Sequence, residues 1–183
     1  MSLRVSFELD ENDLKHFKLI MREARKAAAR MAPEDIVAAA EQLLSDIGDD
    51  QAPGFVIERL GKLKQMIQMI TDLEWRLPHE ETGRVLNALA YFAEPDDLIP
   101  DSIPGLGFLD DAIMVELVVR ELRHEIDAYT DFCEFRATAG NEAEKQTVSR
   151  ENWLDSRREE LQSRMRRRRN KGLTRADSGS GLR

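Results

Sequence analysis

The 183-residue chain is expected to fold as an all-α protein: about five helices in a bundle, a proline-braced loop between the fourth and fifth, and a projecting basic C-terminal helix. Three observations predict this. Apolar residues recur at steps of three and four along five stretches, the period of a helix with one buried face. Aromatic residues make up only 6% of the chain, and 10 Gly and 6 Pro are too few for the turns of a sandwich or barrel. The hydrophobic fraction is 42%, enough for one core, because a chain of about 150 residues buries roughly two-thirds of its unfolded surface. The expected organisation is a strand or arm over 1–9, a helical domain over 10–140, and a basic helical arm with a disordered tail over 141–183.

Leu3, Val5, Phe7 and Leu9 alternate with polar residues, the period of a half-buried strand. No second strand is evident to satisfy its backbone, so it is expected to pair with its own copy in a homodimer. Asp10 can cap the first helix, whose stripe is Leu14, Phe17, Met21, Ala24, Ala28 and Met31. Pro33 suits the first position of the second helix, with Glu34 and Asp35 in its electropositive first turn. Its stripe is Ile36, Val37, Ala40, Leu43, Leu44 and Ile47, and Gly48 ends it.

The third helix carries Val56, Leu60, Leu63, Ile67, Ile70 and Leu77, widened by Met66, Met69 and Leu73, and Pro78 stops it. Methionines at helical spacing read as core filler. The fourth is expected from His79 to Ala93. The fifth is expected as one helix from Leu109 to Ala137, along Ala112, Val115, Val119, Leu122, Ile126, Tyr129 and Cys133. The last starts near Ser149. Its large apolar residues ahead of the arginine run are Trp153, Leu154, Leu161 and Met165, thin cover that predicts a projecting arm. From Lys171 onward the composition predicts disorder.

Charge is unevenly placed. The net charge is −8, yet residues 157–183 hold ten of the 27 basic residues and three of the 35 acidic ones, a net of +7. The first 156 residues therefore carry −15. Nucleic acid and anionic membrane should repel the body and attract the tail. A single cysteine, Cys133, excludes an internal disulfide framework and an all-cysteine zinc site. The polar start does not read as a secretory signal, and no apolar run approaches the roughly 18 residues of a membrane span. A cytoplasmic location is expected, with membrane association disfavoured.

The densest pattern runs from Leu86 to Val119, and it is LNALAYFAEPDDLIPDSIPGLGFLDDAIMVELVV. Its prolines fix φ and bias the preceding residues to extended backbone. Leu98, Ile99, Ile103, Leu106, Phe108 and Leu109 are apolar in what must be a loop, so the loop should fold back as a rigid brace. Ala90-Tyr91, Pro95, Asp97 to Asp101 with Pro100 inside it, Ile103-Pro104, Gly107-Phe108 and Asp110-Asp111 fall in a fixed order. This order resembles the hallmark of the YkvA-like family of bacterial proteins, a domain of unknown function. The resemblance covers about a fifth of the chain and implies no activity, substrate or cofactor.

Asp96, Asp97, Asp101, Asp110 and Asp111 invite two readings. Carboxylates around a sharp connection can converge on Mg²⁺ or Ca²⁺, and Asp97, Asp101, Asp110 and Asp111 would then serve a metal-dependent hydrolase. The alternative is turn formation and stabilisation of a helix start, which the positions of Asp101, Asp110 and Asp111 favour. The spacing lacks the alternating ligands of an EF-hand. Glu121 and His124 form a single E-x-x-H pair, where a di-metal bundle needs two, and are expected on a solvated face. No nucleophile arrangement or Gly-rich phosphate loop is present, and no cofactor is expected.

The second signal is Arg157, Arg158, Arg164, Arg166, Arg167, Arg168, Arg169 and Lys171. Planar guanidinium groups hold phosphates through paired donors. With no aromatics interleaved, backbone contact is expected rather than base readout. An acidic protein partner, a clamp on the chain's own acidic body and a solubilising tail are the other readings. The expected function is a non-catalytic cytoplasmic adaptor whose arginine arm meets RNA, DNA or an acidic protein.

Overall fold

The computed structural model describes residues 8–46, 54–93, 109–143 and 150–179. It is all-α, as expected, and no strand occurs among the described residues. Most of the alternating segment at the N-terminus, most of the proline loop with Asp97 and Asp101, and the Gly48 helix end lie outside the described residues. The helices are α1 (Glu11–Ala28), α2 (Pro33–Asp46), α3 (Gly54–Thr71), α4 (His79–Leu89), α5 (Leu109–Glu121), α6 (Arg123–Ala143) and α7 (Arg150–Gly179), with a 3₁₀ turn at Ala90–Ala93. They gather into two compact units, within residues 1–63 and 83–118 and within residues 64–82 and 119–183.

The first unit starts from a capping box. The Asp10 carboxylate accepts from the Asn12 and Asp13 amides at 2.6 and 2.9 Å, and Asp13 accepts from the Asp10 amide at 3.0 Å. Three of the amides a helix start leaves unpaired are thereby satisfied. α1 buries Met21, Ala24 and Ala28, and α2 buries Ile36 and Ala40. These residues are mostly small, and the 3₁₀ turn packs against both helices. Tyr91 and Phe92 are buried on that turn with their rings edge to face, 5.3 Å apart. The fourth helix was expected to run to Ala93, but its end tightens into this turn, a common way to close a helix C-terminus. Arg25 Nε donates to the Asn87 carbonyl at 3.0 Å, and Arg59 pairs with Glu116 at 3.2 Å.

The second unit is organised by a turn the periodicity does not show. The third helix was expected to continue to Leu77, but α3 ends at Thr71. The Asp72 carboxylate accepts from the Glu74 and Trp75 amides at 2.9 and 3.1 Å. That local competition with the helix ladder starts a turn. It leaves Leu73 87% exposed and sends Trp75 fully inside. Arg76 follows with φ 47°, a left-handed conformation uncommon outside glycine. The Trp75 ring packs on Phe132 at 5.1 Å and Tyr129 at 5.8 Å.

Two further expectations are corrected. The single helix over 109–137 is two, α5 and α6, with a bend at Leu122. The Ile126 amide still donates to the Leu122 carbonyl at 2.9 Å, so the ladder resumes at once. No Pro or Gly marks the place. The C-terminal helix does not project: it packs along α6 and buries Leu154, Leu161, Gln162 and Met165, with Trp153 against Phe135 at 4.7 Å. It also runs to Gly179, so Lys171 to Gly179 is helical where composition predicts disorder.

Candidate functional site

The arginine run lies on α7 and is divided by helical geometry. Leu154, Arg158, Leu161, Met165 and Arg169 recur at steps of four and three, so they share one face. The side chains of Arg158 and Arg169 are each only 11% exposed. Arg158 donates to Asp155 at 2.6 Å and to the Glu74 carbonyl at 3.2 Å. Gln162, on the same side, donates to the Trp75 and Arg76 carbonyls at 2.9 and 3.3 Å. The inner face of α7 thus holds the 72–76 turn.

Arg169 closes the lower end of that face. Its Nη1 lies 3.3 Å from Glu81 and 3.4 Å from Glu125, and its Nη2 lies 2.9 Å from Glu80. Glu81 and Glu125 are 1% and 0% exposed. Burying a carboxylate costs several kcal/mol unless a cation and hydrogen bonds compensate, and Arg169 supplies the cation to both. Arg166 adds a longer pair to Glu81 at 3.9 Å.

The remaining basic residues face outward to different degrees. Arg157 pairs with Glu160 at 2.8 Å and lies over the Phe135 ring at 5.4 Å. Arg164 pairs with Asp131. Arg167 and Arg168 are exposed and make no ion pair among the described residues, and Lys171 is exposed beside them. The eight residues marked as one contact set therefore divide into inner struts and an outer ridge. Glu81 and Glu125, partners of Arg169, and Gln162 beside the struts were not singled out from the sequence. A signal existed: Val118, Leu122, Glu125, Tyr129 and Phe132 form an apolar stripe with one carboxylate in it, and Glu81, Val85, Ala88 and Phe92 another.

Asp72 is the second electrostatic centre of this unit. It accepts from Tyr129 Oη at 3.0 Å and from Arg136 at 2.7 Å, while Arg136 also reaches Glu74 at 3.1 Å. Burial alone would push the Asp72 carboxyl up. The hydrogen bonds from Arg136, the two turn amides and Tyr129 outweigh it and hold the carboxyl below its ordinary value. Burial, followed by the neighbouring Cys133 and Asp72, pushes the Tyr129 hydroxyl up.

Of the hallmark residues, Tyr91 and Asp110 are placed, while Pro95, Asp97, Pro100, Asp101, Pro104 and Gly107 lie outside the described residues. Asp110 and Asp111 open α5 and are 2% and 5% exposed. Tyr91 Oη donates to Asp110 at 3.4 Å. Among the described residues, no group of three or more His, Cys, Asp or Glu side chains is arranged to hold a metal ion. Glu121 is exposed and His124 partly so, as a solvated face requires.

The α4–α5 stretch that contains Tyr91 and Asp110 is also where a family model matches. Residues 84–117 match the family described as a protein of unknown function, DUF1232. In Bacillus subtilis (strain 168), a protein named "Uncharacterized membrane protein YkvA" is 34% identical over 89 residues, covering 43% of this chain and 84% of that protein. The chain belongs to this YkvA-like family. No solved structure matches it. No described helix is long and apolar enough to cross a membrane.

Proposed function

We propose that the chain is a non-catalytic interaction protein that holds the phosphate backbone of a nucleic acid on the outer face of α7. One observation carries this reading. From Glu159 to Gly172 every apolar side chain of α7 is turned inward, and the exposed positions of the arginine run are Arg167, Arg168, Asn170 and Lys171. A protein interface core wants aromatic and aliphatic anchors, and a helix that enters a bilayer surface wants an apolar outer face. Phosphate contact needs neither. This reading keeps the cytoplasmic location that the sequence suggests.

The metal-dependent hydrolase is less well supported. Asp110 and Asp111 are buried at a helix start, and Asp110 accepts from Tyr91. The name of the Bacillus relative keeps an anionic bilayer as a second reading, by surface attraction and not by insertion. The test is binding of the full chain to labelled single-stranded DNA, duplex DNA and anionic vesicles at several salt concentrations, beside the Arg167→Ala/Arg168→Ala variant. Nucleic-acid binding that weakens with salt and is largely lost in the variant supports the proposal. Binding to vesicles alone moves it to the membrane reading, and binding to neither rejects it.

A further inference from the structure

The two ends of the α7 seam are held by different forces. From Leu154 to Met165 the seam is anchored by apolar side chains: Leu154, Leu161 and Met165 are at most 4% exposed, with Arg158 and Gln162 between them on the 72–76 turn. From Arg166 to Gly172 no apolar side chain is present, and the segment is Arg-Arg-Arg-Arg-Asn-Lys-Gly. Among the described contacts, this segment is held by Arg169 and Arg166 on Glu80, Glu81 and Glu125. Three carboxylates of the seat meet these two guanidinium groups. It offers paired oxygens to an arginine, which is also what a phosphate offers.

We infer that the segment of α7 beyond Met165 is an electrostatic latch, and that Glu80, Glu81 and Glu125 compete with a polyanion for Arg169 and Arg166. The inference rests on the phosphate-binding reading of α7 and deepens it by naming what regulates that face. In the latched state the ridge offers Arg167 and Arg168. When the latch opens, Arg169 and Arg166 join them, and water reaches Glu81 and Glu125, so neither carboxylate stays buried without a cation. Opening does not disturb the apolar half of the seam. Salt weakens the latch and phosphate contact alike, so the neutralised seat separates the two.

Two measurements on the full chain test this. The first is hydrogen exchange of α7 at about 50 and about 200 mM salt, a span over which phosphate contacts lose much of their affinity. Amides 166–172 should lose protection with salt while amides 154–165 keep it. The second is binding of a fluorescein-labelled single-stranded DNA to Glu81→Gln/Glu125→Gln and to Glu80→Gln, which is exposed and leaves the buried seat intact. Both should bind several-fold tighter than the parent, because the competitor is weakened. The double variant should steepen the log–log salt slope by about 0.7 for each added phosphate contact. Equal affinity and slope in the parent and both variants overturn the latch. If no form of the chain binds the DNA, the phosphate reading falls, and the exchange measurement alone decides the latch: salt-insensitive protection across 166–172 rejects it.

Discussion

Gln162 Nε2 donates to the main-chain carbonyl of Trp75 at 2.9 Å, joining α7 to a turn 87 positions earlier in the chain. Both partners are buried, and the Trp75 ring lies against Phe132. The turn that ends α3 is therefore completed by the last helix. A buried carbonyl left without its donor costs about 1–3 kcal/mol.

Removing the Trp75 ring should be among the costliest single changes. Trp75→Ala is expected to destabilise by about 3–5 kcal/mol, the range for deleting a large buried aromatic. Leu73→Ser, two residues away on an 87% exposed side chain, should lie within about 0.5 kcal/mol of the parent. Urea unfolding followed by tryptophan fluorescence for Leu73→Ser, and by circular dichroism for both, checks the pair. Similar losses at the two positions would mean that the third helix continues past Thr71.

The left-handed Arg76 offers the opposite sign. Its ion pairs to Glu151 and Asp155 are long, at 4.0 Å, and its side chain is 55% exposed. A non-glycine residue in this conformation costs on the order of 1 kcal/mol. Arg76→Gly should raise stability by up to about that amount in thermal melts, and a clear drop would show that the long pairs outweigh the backbone strain.

Arg169 should separate sharply from its neighbours in sequence. Arg169→Met removes the Arg169 pairs to Glu81 and Glu125, and breaking a buried pair costs about 3–5 kcal/mol where the seat cannot hydrate. The latch lets the seat hydrate by opening, so a loss at or below the lower end of that range is expected. Arg167→Ala and Arg168→Ala should each change stability by less than about 0.5 kcal/mol. Equal effects at 167, 168 and 169 would contradict the division into struts and ridge.

Acid should act in part through Asp72. Its carboxyl is held below the ordinary value, so the folded state binds this proton less readily than the unfolded chain does. The stability it contributes is present above the unfolded value of about 3.9 and is lost as pH falls below it, toward the lowered folded value. Asp72→Asn should therefore flatten the stability–pH curve below about pH 4, measured by urea midpoint against pH. A parallel curve in the variant would place the acid sensitivity elsewhere.

At the start of α5, Tyr91→Phe should cost about 1 kcal/mol, the usual worth of one buried hydrogen bond. Mg²⁺, Mn²⁺ and Ca²⁺ should leave the parent's melting temperature unchanged. A metal-dependent rise that disappears in Asp110→Ala would favour the hydrolase instead, since a ligand that binds the folded state stabilises it.

What was legible in the sequence follows from which forces leave a periodic trace. Asp10 as a cap, Pro33 as a helix start and the α1 stripe of Met21, Ala24 and Ala28 were readable because local geometry and burial both write to nearby positions. The Asp72 turn was not, because a single carboxylate overrides an apolar stripe that runs on through Leu73 and Leu77. The bend at Leu122 left no Pro or Gly behind. Part of the candidate site was visible as an arginine run. Its division was hidden because the acceptors, Glu80, Glu81 and Glu125, lie 44 to 89 positions away and read as ordinary solvated charges.

The charged positions on the inner face of α7 also act as a ruler. Leucine and methionine tolerate sliding, since one aliphatic side chain fills another's place at modest cost. Translation by one helical turn, about 5.4 Å, would bring one of Leu161 and Met165 into the place of the other. It would also pull Arg169 away from Glu81 and Glu125 and take Gln162 off the Trp75 carbonyl. The seam therefore has one alignment in which Arg169 meets Glu81 and Glu125 while Gln162 meets the Trp75 carbonyl, and slippage breaks both at once.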